Sequence, residues 1–286
     1  MKPVAKHTVI VGVGLIGSSR AAAARRAGAL GHVTGVGRSR ANLQTAERAG
    51  ILDASTHDLD RALKTADLVV LAAPPDTCLE LIETVARVAP ASCLVTDVAS
   101  VKGPICEAAV RSGIEARFLG GHPMAGKTAT GSAAADADLF DGCMVVLTPA
   151  ANTGRRVRDA IGRLWTAVGA KTVEMDADTH DRAVALASHL PQIVASCLAA
   201  VAARDGDRER ALGLAAGGFR DTTRIAAGDV DMWVAIASAN RKHLSTALDR
   251  FARVLDEARR AIADGDEASM RALLLEAAEL RRGLDP

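Results

Sequence analysis

The chain has 286 residues, with 35 lysines and arginines against 34 aspartates and glutamates, so its formal net charge is +1. This balance, with 2% aromatic residues and no tyrosine, argues against nucleic-acid binding, because neither a broad basic surface nor a set of stacking rings is available. Hydrophobic residues make up 49% of the chain, so it can bury a sizeable core that is aliphatic and rich in alanine.

The five cysteines are scattered, with no CxxC pair and no compact group of cysteines and histidines. This spacing predicts neither a structural zinc site nor a disulfide framework, and no metal is expected. We expect the cysteines to be small buried side chains in a reducing compartment.

Two apolar segments bear on targeting. The one that begins at Thr8 is broken at once by glycines and does not resemble a secretory signal. The run from Ala183 to Ala203 contains Pro191 and Gln192 and is mostly alanine and valine, which favours the central helix of a helical bundle over a membrane span. We therefore expect a cytoplasmic protein that binds no membrane.

Over the first 175 residues, short β-branched runs alternate with helical periodicity. The predicted strands are His7–Val11, Val33–Val36, Leu68–Ala72, Cys93–Asp97, Arg117–Gly120, Met144–Thr148 and Lys171–Glu174. The predicted helices between them include Leu15–Ala27, Arg40–Ala49, Thr77–Ala89, Gly103–Ser112 and Gly154–Val168. Such alternation is typical of a parallel sheet covered by helices on both faces.

From Asp176 onward the strand pattern ends and long helical patterns continue to Leu284. We place a domain boundary near Met175–Asp176, with Asp176 or Asp178 capping the next helix. In the C-terminal helical segment, Asp256 and Arg260 are four residues apart and can form an ion pair on an exposed face.

A glycine-rich turn follows the first predicted strand. Residues 12–17 read Gly-Val-Gly-Leu-Ile-Gly and open a predicted helix, the context in which G-x-G-x-x-G binds a dinucleotide. Gly12 allows a tight turn, Gly14 lets the backbone approach a pyrophosphate, and Gly17 lets helix and strand pack closely. The alternative is a glycine turn with a purely structural role.

The end of the second predicted strand indicates which dinucleotide, NAD or NADP, the glycine turn would bind. An acidic residue is expected there if the ribose 2′-hydroxyl of NAD is bound, but the chain reads Gly37-Arg38-Ser39-Arg40. Arginine and serine suit a 2′-phosphate, so the sequence favours NADP, with NAD possible. The cofactor-binding residues that we predict are Gly12, Gly14, Leu15, Ile16, Gly17, Gly37, Arg38, Ser39, Ala73 and Pro74.

Later strand ends carry polar residues suited to catalysis. Residues 97–102 read Asp-Val-Ala-Ser-Val-Lys and residues 120–126 read Gly-Gly-His-Pro-Met-Ala-Gly. His122 can accept a proton at neutral pH, and Ser100 could orient it, although a loop histidine can also be inert. In the helical half, an arginine within residues 217–226 could clamp a carboxylate, or it could form a salt bridge with Asp221 or Asp229.

Taken in order, these motifs resemble the prephenate/arogenate (cyclohexadienyl) dehydrogenases of tyrosine biosynthesis. The resemblance covers nearly the whole chain and includes His-Asp at 180–181, Ser-His-Leu-Pro at 188–191 and Gly-Gly-Phe-Arg-Asp-x-Thr-Arg-Ile-Ala at 217–226. It implies an α/β Rossmann-type dinucleotide-binding domain at residues 1–175 followed by an all-α dimerisation domain at residues 176–286. A homodimer formed through the helical domain is expected.

The resemblance also implies a reaction and residue roles. The ring hydroxyl of a cyclohexadienol becomes a carbonyl as hydride passes to nicotinamide, the ring carboxylate leaves as CO2, and the product is aromatic. His122 would accept the hydroxyl proton with the help of Ser100. Arg224 would bind a substrate carboxylate beside the Gly217 backbone. Trp233 would reach the site from the partner subunit, and His189 would hold helix ends.

Two positions depart from the pattern of many prephenate-using relatives. Lys127-Thr128 follows the His-Pro-Met-Ala-Gly motif where those relatives have a Gly-Thr-Glu-like sequence, and Gln192 stands where they have a second histidine. Together with the missing acid after the second strand, these departures favour arogenate, or both arogenate and prephenate, as the substrate, with Lys127, Thr128 and Gln192 facing its side chain. The alternatives are a prephenate-specific dehydrogenase, a β-hydroxyacid or imine reductase, and a dinucleotide-sensing module without turnover.

Overall fold

The structure is a computed structural model that describes residues 3–127 and 129–284. The chain forms two compact units, Met1–Asn240 and Arg241–Pro286. The strands are β1 (Ala5–Val11), β2 (Leu30–Val36), β3 (Ala54–Thr56), β4 (Leu68–Leu71), β5 (Leu94–Asp97), β6 (Phe118–Pro123), β7 (Met144–Thr148) and β8 (Lys171–Glu174). The α-helices are α1 (Leu15–Arg26), α2 (Arg40–Arg48), α3 (Leu59–Leu63), α4 (Pro75–Val88), α5 (Gly103–Arg111), α6 (Arg155–Ala167), α7 (Ala177–Val184), α8 (Leu190–Arg204), α9 (Arg208–Gly213), α10 (Gly217–Thr223), α11 (Val230–Ala239), α12 (Arg241–Asp264) and α13 (Glu267–Arg282).

The eight strands of the first unit form one sheet in the order β3-β2-β1-β4-β5-β6-β7-β8. The first six of these positions follow the doubly wound Rossmann order, in which the strand order reverses between β1 and β4. This arrangement confirms the predicted fold class and puts a ligand-binding crevice at the carboxyl ends of β1 and β4.

The sheet is mixed, whereas the sequence predicts a parallel sheet. β7 runs antiparallel to β6, with Gly120 opposite Thr148, and β8 runs parallel to β7. The described residues between β6 and β7, 124–127 and 129–143, form no α-helix, so they show no helical crossover of the kind that joins parallel strands. β3, at the opposite edge, is only three residues long and was not predicted.

Alternate residues along the strands enter two aliphatic cores on opposite faces of the sheet. Ile10, Leu68 and Val70 belong to one core, whereas Val9 and Val11 belong to the other. This period-two alternation, buried on both sides, is why the strands read as continuous apolar runs in the sequence.

Four cysteines are buried or partly buried, but Cys197 is exposed, contrary to our expectation for it.

The helical part begins with one long stretch. Asp176 caps α7 by accepting a hydrogen bond from the Thr179 N–H, as predicted, and a π-helical turn over Ala185–His189 joins α7 to α8. Pro191 lies just after this turn and lacks the N–H that a regular helix would use, which accounts for the widened turn before it.

By length and composition, the stretch Ala177–Arg204 could cross a membrane. Its buried polar side chains instead make contacts within the fold: His180 and Asp181 bond to each other, and His189 contacts Asn240. Buried polar groups with partners of this kind are typical of a central helix in a packed protein.

The second unit consists of α12 and α13. The predicted pairing of Asp256 with Arg260 is confirmed, and Arg259 also contacts Asp256. The boundary near Met175–Asp176 coincides with the passage from β8 to α7, whereas the compact units divide after Asn240. The division into domains at residue 175 therefore stays a prediction.

Candidate active site

The glycine turn between β1 and α1 lies at the reversal point of the sheet. Gly12 has φ of +103°, and a Cβ at this position would lie 2.2 Å from the carbonyl oxygen of Ala72. A Cβ at Gly17 would lie 2.1 Å from the Gly12 oxygen. No other residue type fits at either position without a shift of backbone. Ala73 and Pro74, two predicted cofactor residues, follow β4 at the same point.

A groove of about 510 Å³ opens beside this turn. It is lined by Gly12, Val13, Gly14, Gly37, Arg38, Ser39 and Asn42. Gly14 is the N-cap of α1, and among the described residues no side chain accepts a hydrogen bond from the first N–H groups of this helix. The N–H groups at Leu15 and Ile16 can therefore bind an anion. The groove therefore fits a dinucleotide, with five of the predicted cofactor residues on its walls.

The end of β2 supplies the polar part of the groove. Ser39 caps α2, its Oγ accepting the Asn42 N–H at 3.2 Å, which leaves the hydroxyl hydrogen for another acceptor. Arg38 is exposed, and among the described residues it forms no ion pair. A free guanidinium beside a hydroxyl donor suits the 2′-phosphate of an adenosine ribose.

A buried ion pair joins the loops that carry Ser100 and His122. Asp97 and Lys102 are both fully buried, and Lys102 Nζ donates to the Asp97 carboxylate and, at 2.9 Å, to the Gly121 oxygen. Asp97 also accepts the N–H of Gly121 at 3.2 Å. These contacts hold the β5–α5 loop, with Ser100, next to the residue that precedes His122.

His122 lies on β6 and is partly buried. Its Nδ1 is 2.8 Å from Nε2 of His180, and the two rings meet edge to face. Within the described part of the chain, no hydrogen bond joins Ser100 to His122. The contact that orients the predicted base therefore comes from His180 on α7.

Asp181 determines how protons are arranged along this chain of contacts. Its Oδ1 lies 2.7 Å from His180 Nδ1 and accepts the Lys102 N–H at 2.7 Å, while its Oδ2 accepts the Gly103 N–H at 2.7 Å. An ionised carboxylate only accepts, so His180 Nδ1 carries the proton and, when the ring is neutral, His180 Nε2 accepts from His122 Nδ1–H. Nε2 of His122 is then the bare, basic nitrogen.

The surroundings keep His122 uncharged. Burial lowers its pKa well below the ordinary value, and electrostatic repulsion from Lys102, and from His180 whenever that ring is protonated, lowers it further. A neutral imidazole with a bare Nε2 is the form required of a general base at neutral pH.

His189 is connected to Asp181 through Asn240. Asn240 Nδ2 donates to the Asp181 carbonyl at 2.8 Å and to His189 Nδ1 at 3.1 Å, and the His189 ring lies 6.1 Å from the Trp233 ring of the same chain. Burial lowers the His189 pKa to about 4. Its Nε2 is buried without a hydrogen-bond partner among the described residues. Gln192, one turn further along, is also buried.

Three other predicted substrate residues, Arg224, Gly217 and Lys127, lie at the surface, and Trp233 is partly buried. Arg224 follows α10 and is exposed, and the salt bridge with Asp221 or Asp229 that was its alternative is not formed among the described residues. Gly217 opens α10. Lys127 is exposed and paired with Asp136 at 2.7 Å. Thr128, the remaining predicted residue, lies outside the described residues.

Two domain families match successive parts of this chain. Residues 20–174 match the family described as "Prephenate dehydrogenase, nucleotide-binding domain", and residues 176–276 match "Prephenate dehydrogenase, dimerization domain". The chain belongs to the prephenate dehydrogenase family.

Individual relatives cover almost the whole chain. The prephenate dehydrogenase of Lactococcus lactis subsp. cremoris is 34% identical over 285 residues, which cover 98% of this chain and 78% of the relative. Among solved structures, prephenate dehydrogenase from A. aeolicus in complex with hydroxyphenyl propionate and NAD+ is 30% identical, with a TM-score of 0.92 and coverage of 98% of each chain. Synechocystis arogenate dehydrogenase is 31% identical, with a TM-score of 0.81 and coverage of 97% of this chain and 99% of its own.

Membership in the prephenate dehydrogenase family makes the chain a dehydrogenase with a nucleotide-binding and a dimerization domain. The His180-Asp181 motif is visible in the sequence, but its role is not, because the contact between His180 and His122 spans 58 positions. The signal was present, since a histidine followed by an aspartate at the start of a helix can orient another imidazole. Among the described residues, no group of three or more His, Cys, Asp or Glu could hold a metal ion.

Proposed function

We propose that this dehydrogenase oxidatively decarboxylates arogenate, in preference to prephenate, with NADP as the preferred hydride acceptor. The product is then tyrosine, or 4-hydroxyphenylpyruvate when prephenate is the substrate. The observation that carries the proposal is the neutral His122 imidazole, whose Nδ1 is engaged by His180 and whose Nε2 is left to act as a base. We further propose that it works as a cytoplasmic homodimer.

His122 Nε2 takes the proton of the ring hydroxyl in this mechanism, and Ser100 assists from the adjacent loop. Nicotinamide, when bound, supplies the acceptor for the hydride that leaves the same ring carbon. The carbon–carbon bond to the ring carboxylate breaks to release CO2, and the ring becomes aromatic. Burial of His122 favours this step because a protonated imidazole could not accept the proton.

Substrate binding in the proposal rests on Arg224, whose guanidinium has no ion-pair partner among the described residues and can take a carboxylate in a bidentate manner. Gly217 would lie beside that carboxylate, and Trp233 would close the site. Gln192 and Lys127, with Thr128, would face the side chain. Gln192 can accept from the ammonium group of arogenate as well as donate, which a protonated histidine cannot. The relative from Synechocystis is an arogenate dehydrogenase.

The NADP preference rests on the groove at the end of β2. Arg38 and Ser39 line it together with Gly37, and the acid that would bind a free 2′-hydroxyl is absent from these wall residues. The structure of the A. aeolicus relative contains NAD+. If this chain prefers NADP instead, we expect the residues of this groove to account for the difference in cofactor.

The deciding experiment incubates the purified chain with prephenate or arogenate and with NAD or NADP, in all four combinations, and follows the reduced cofactor. We expect the highest kcat/KM for arogenate with NADP. No reduction in any mixture would exclude the proposed activity, and a higher kcat/KM for prephenate would reverse the substrate assignment.

Arg38→Ala serves as the matched variant for the cofactor assignment. Losing one charge-assisted contact of about 1.5–3 kcal/mol should raise KM for NADP roughly tenfold or more and leave KM for NAD nearly unchanged. Equal effects on both cofactors would show that Arg38 does not bind the 2′-phosphate.

A further inference from the structure

We propose that Asp181 and His180 are positioning residues for this dehydrogenase, which fix the proton arrangement of the His122 base and share the positive charge that it acquires during turnover. The inference rests on the proposed function of His122 and adds two residues of the helical part to the machinery. The geometry that carries it is a continuous line of contacts: His122 Nδ1 to His180 Nε2 at 2.8 Å, and His180 Nδ1 to Asp181 Oδ1 at 2.7 Å.

Asp181 is surrounded by hydrogen-bond donors. Its side chain is 4% exposed and receives three donors: two backbone N–H groups at the start of α5 and the His180 Nδ1–H. Among the described residues, three donors and no acceptor around this carboxyl group match a carboxylate, which only accepts hydrogen bonds. The helix N-terminus that it caps adds a favourable partial positive charge. Asp181 can therefore stay negative next to two imidazoles.

The same contacts provide a path for a proton from His122 to His180. When His122 Nε2 takes the proton from the substrate O–H, that O–H bond breaks and an N–H bond forms at Nε2. The Nδ1 proton of His122 can then move to His180 Nε2, which returns His122 to a neutral ring and makes His180 the imidazolium. The His180 Nδ1–H remains bonded to the Asp181 carboxylate, so the positive charge rests against a negative one.

Asp181 also fixes the position of the loop that carries Ser100. Asp181 holds the N–H groups of Lys102 and Gly103, which begin α5 directly after the Ser100 loop. The same carboxylate therefore sets the distance between that loop and the His180–His122 pair. Orientation of this kind is what keeps a base within hydrogen-bond reach of its substrate. The two residues thus fix both the tautomer of His122 and its place beside Ser100.

Gly103 offers a way to disturb this arrangement without changing either residue. A Cβ at Gly103 would lie 2.9 Å from Asp181 Oδ2, so Gly103→Ala forces the carboxylate to shift. His180→Gln keeps a polar side chain but removes the second imidazole. Asp181→Asn replaces one acceptor oxygen by a donor, which conflicts with the donors that surround it.

Steady-state kinetics of these three variants test the role. We expect His180→Gln and Asp181→Asn to lower kcat by about 10²–10⁴-fold with KM for the substrate changed less than about threefold, as for removal of an orienting group in a base–carboxylate pair. Gly103→Ala should lower kcat in the same direction by a smaller factor. Because His180→Gln and Gly103→Ala leave the Asp181 carboxylate in place, they remain informative if Asp181→Asn does not fold.

The matched control is His32→Gln. His32 lies 3.9 Å from Asp53 in another histidine–aspartate pair, and it is half exposed on β2. This substitution should leave kcat unchanged. Unchanged kcat in His180→Gln, or a rise in KM without a fall in kcat, would overturn the positioning role.

A spectroscopic readout separates this inference from the proposed function. In protein labelled with ¹⁵N-histidine and assigned with His122→Asn, we expect His122 to carry its proton on Nδ1 at neutral pH, and Asp181→Asn to give a mixture of tautomers. A His122 proton on Nε2 in the unsubstituted chain would overturn the inference. If the chain reduced no cofactor with either substrate, the proposed function would fail, and the ¹⁵N spectrum would still decide the proton arrangement.

Discussion

At the scale of single side chains, the catalytic proposal depends on an imidazole that stays neutral. Burial and the neighbouring groups His180 and Lys102 lower the pKa of His122 well below its ordinary value of about 6.5. A lowered histidine pKa means that the neutral form persists to lower pH, so the base remains available in the range where a free imidazole would already be protonated.

The pH dependence of activity follows from this direction. With cofactor saturating, kcat/KM should stay constant as pH falls from about 8 to about 6.5 and decline only below that, as His122 becomes protonated. The measurement is kcat/KM against pH, with protein stability checked at each pH. An acidic limb centred at or above about 6.5 would contradict the assigned environment of His122.

At the scale of elements, the buried Asp97–Lys102 pair joins β5, α5 and β6. Both side chains are fully buried, and their hydrogen bonds reach the backbone of Gly121 and Ala99. A buried pair of this kind contributes little net stability over apolar residues, yet removal of one partner leaves a charge without compensation. The pair therefore specifies how the loop that carries Ser100 meets the strand that carries His122.

Lys102→Met should lower the free energy of unfolding by about 3–5 kcal/mol, because Asp97 would be left buried and charged. The double variant Asp97→Asn/Lys102→Met should recover much of that loss, since no buried charge remains. Urea unfolding of both single variants and the double variant gives the coupling energy. Additive effects within about 0.5 kcal/mol would show that the two residues are independent.

Local patterns predicted the elements well, whereas contacts between distant segments were not predicted. The glycine turn and the Asp176 cap depend on neighbouring residues, and the structure has both. The direction of β7 was wrong, because the period of a strand is the same in parallel and antiparallel sheets. The π turn before Pro191 and the contact of His122 with His180 also depend on three-dimensional packing that no local pattern encodes.

At the scale of the whole molecule, the proposed homodimer needs an apolar surface. On α8, Val201 is 69% exposed and Leu198 is 39% exposed, in the segment that matches the family's dimerization domain. Exposed aliphatic side chains on one helix are typical of a surface covered by another subunit.

Val201→Glu should therefore shift the protein toward the monomer by burying a charge at the subunit contact. Val110→Glu is the matched control, because Val110 is 51% exposed on α5, outside that segment. Sedimentation velocity over a range of protein concentrations measures the change. A dimer that persists equally in both variants would show that Val201 lies away from the interface, and a monomeric unsubstituted chain would exclude the homodimer.

The Asp181 contact with the start of α5 has a consequence for recombination between relatives. Residue 175 follows the glycine turn, Ser100 and His122. The motifs alone would therefore suggest residue 175 as the crossover point for a chimera. Such a chimera would inherit His122 from one parent and the His180–Asp181 pair that contacts it from the other. A crossover placed after Asp181 keeps His122, His180 and Asp181 from the same parent. The segment that must be exchanged as a whole therefore extends past the end of the sheet.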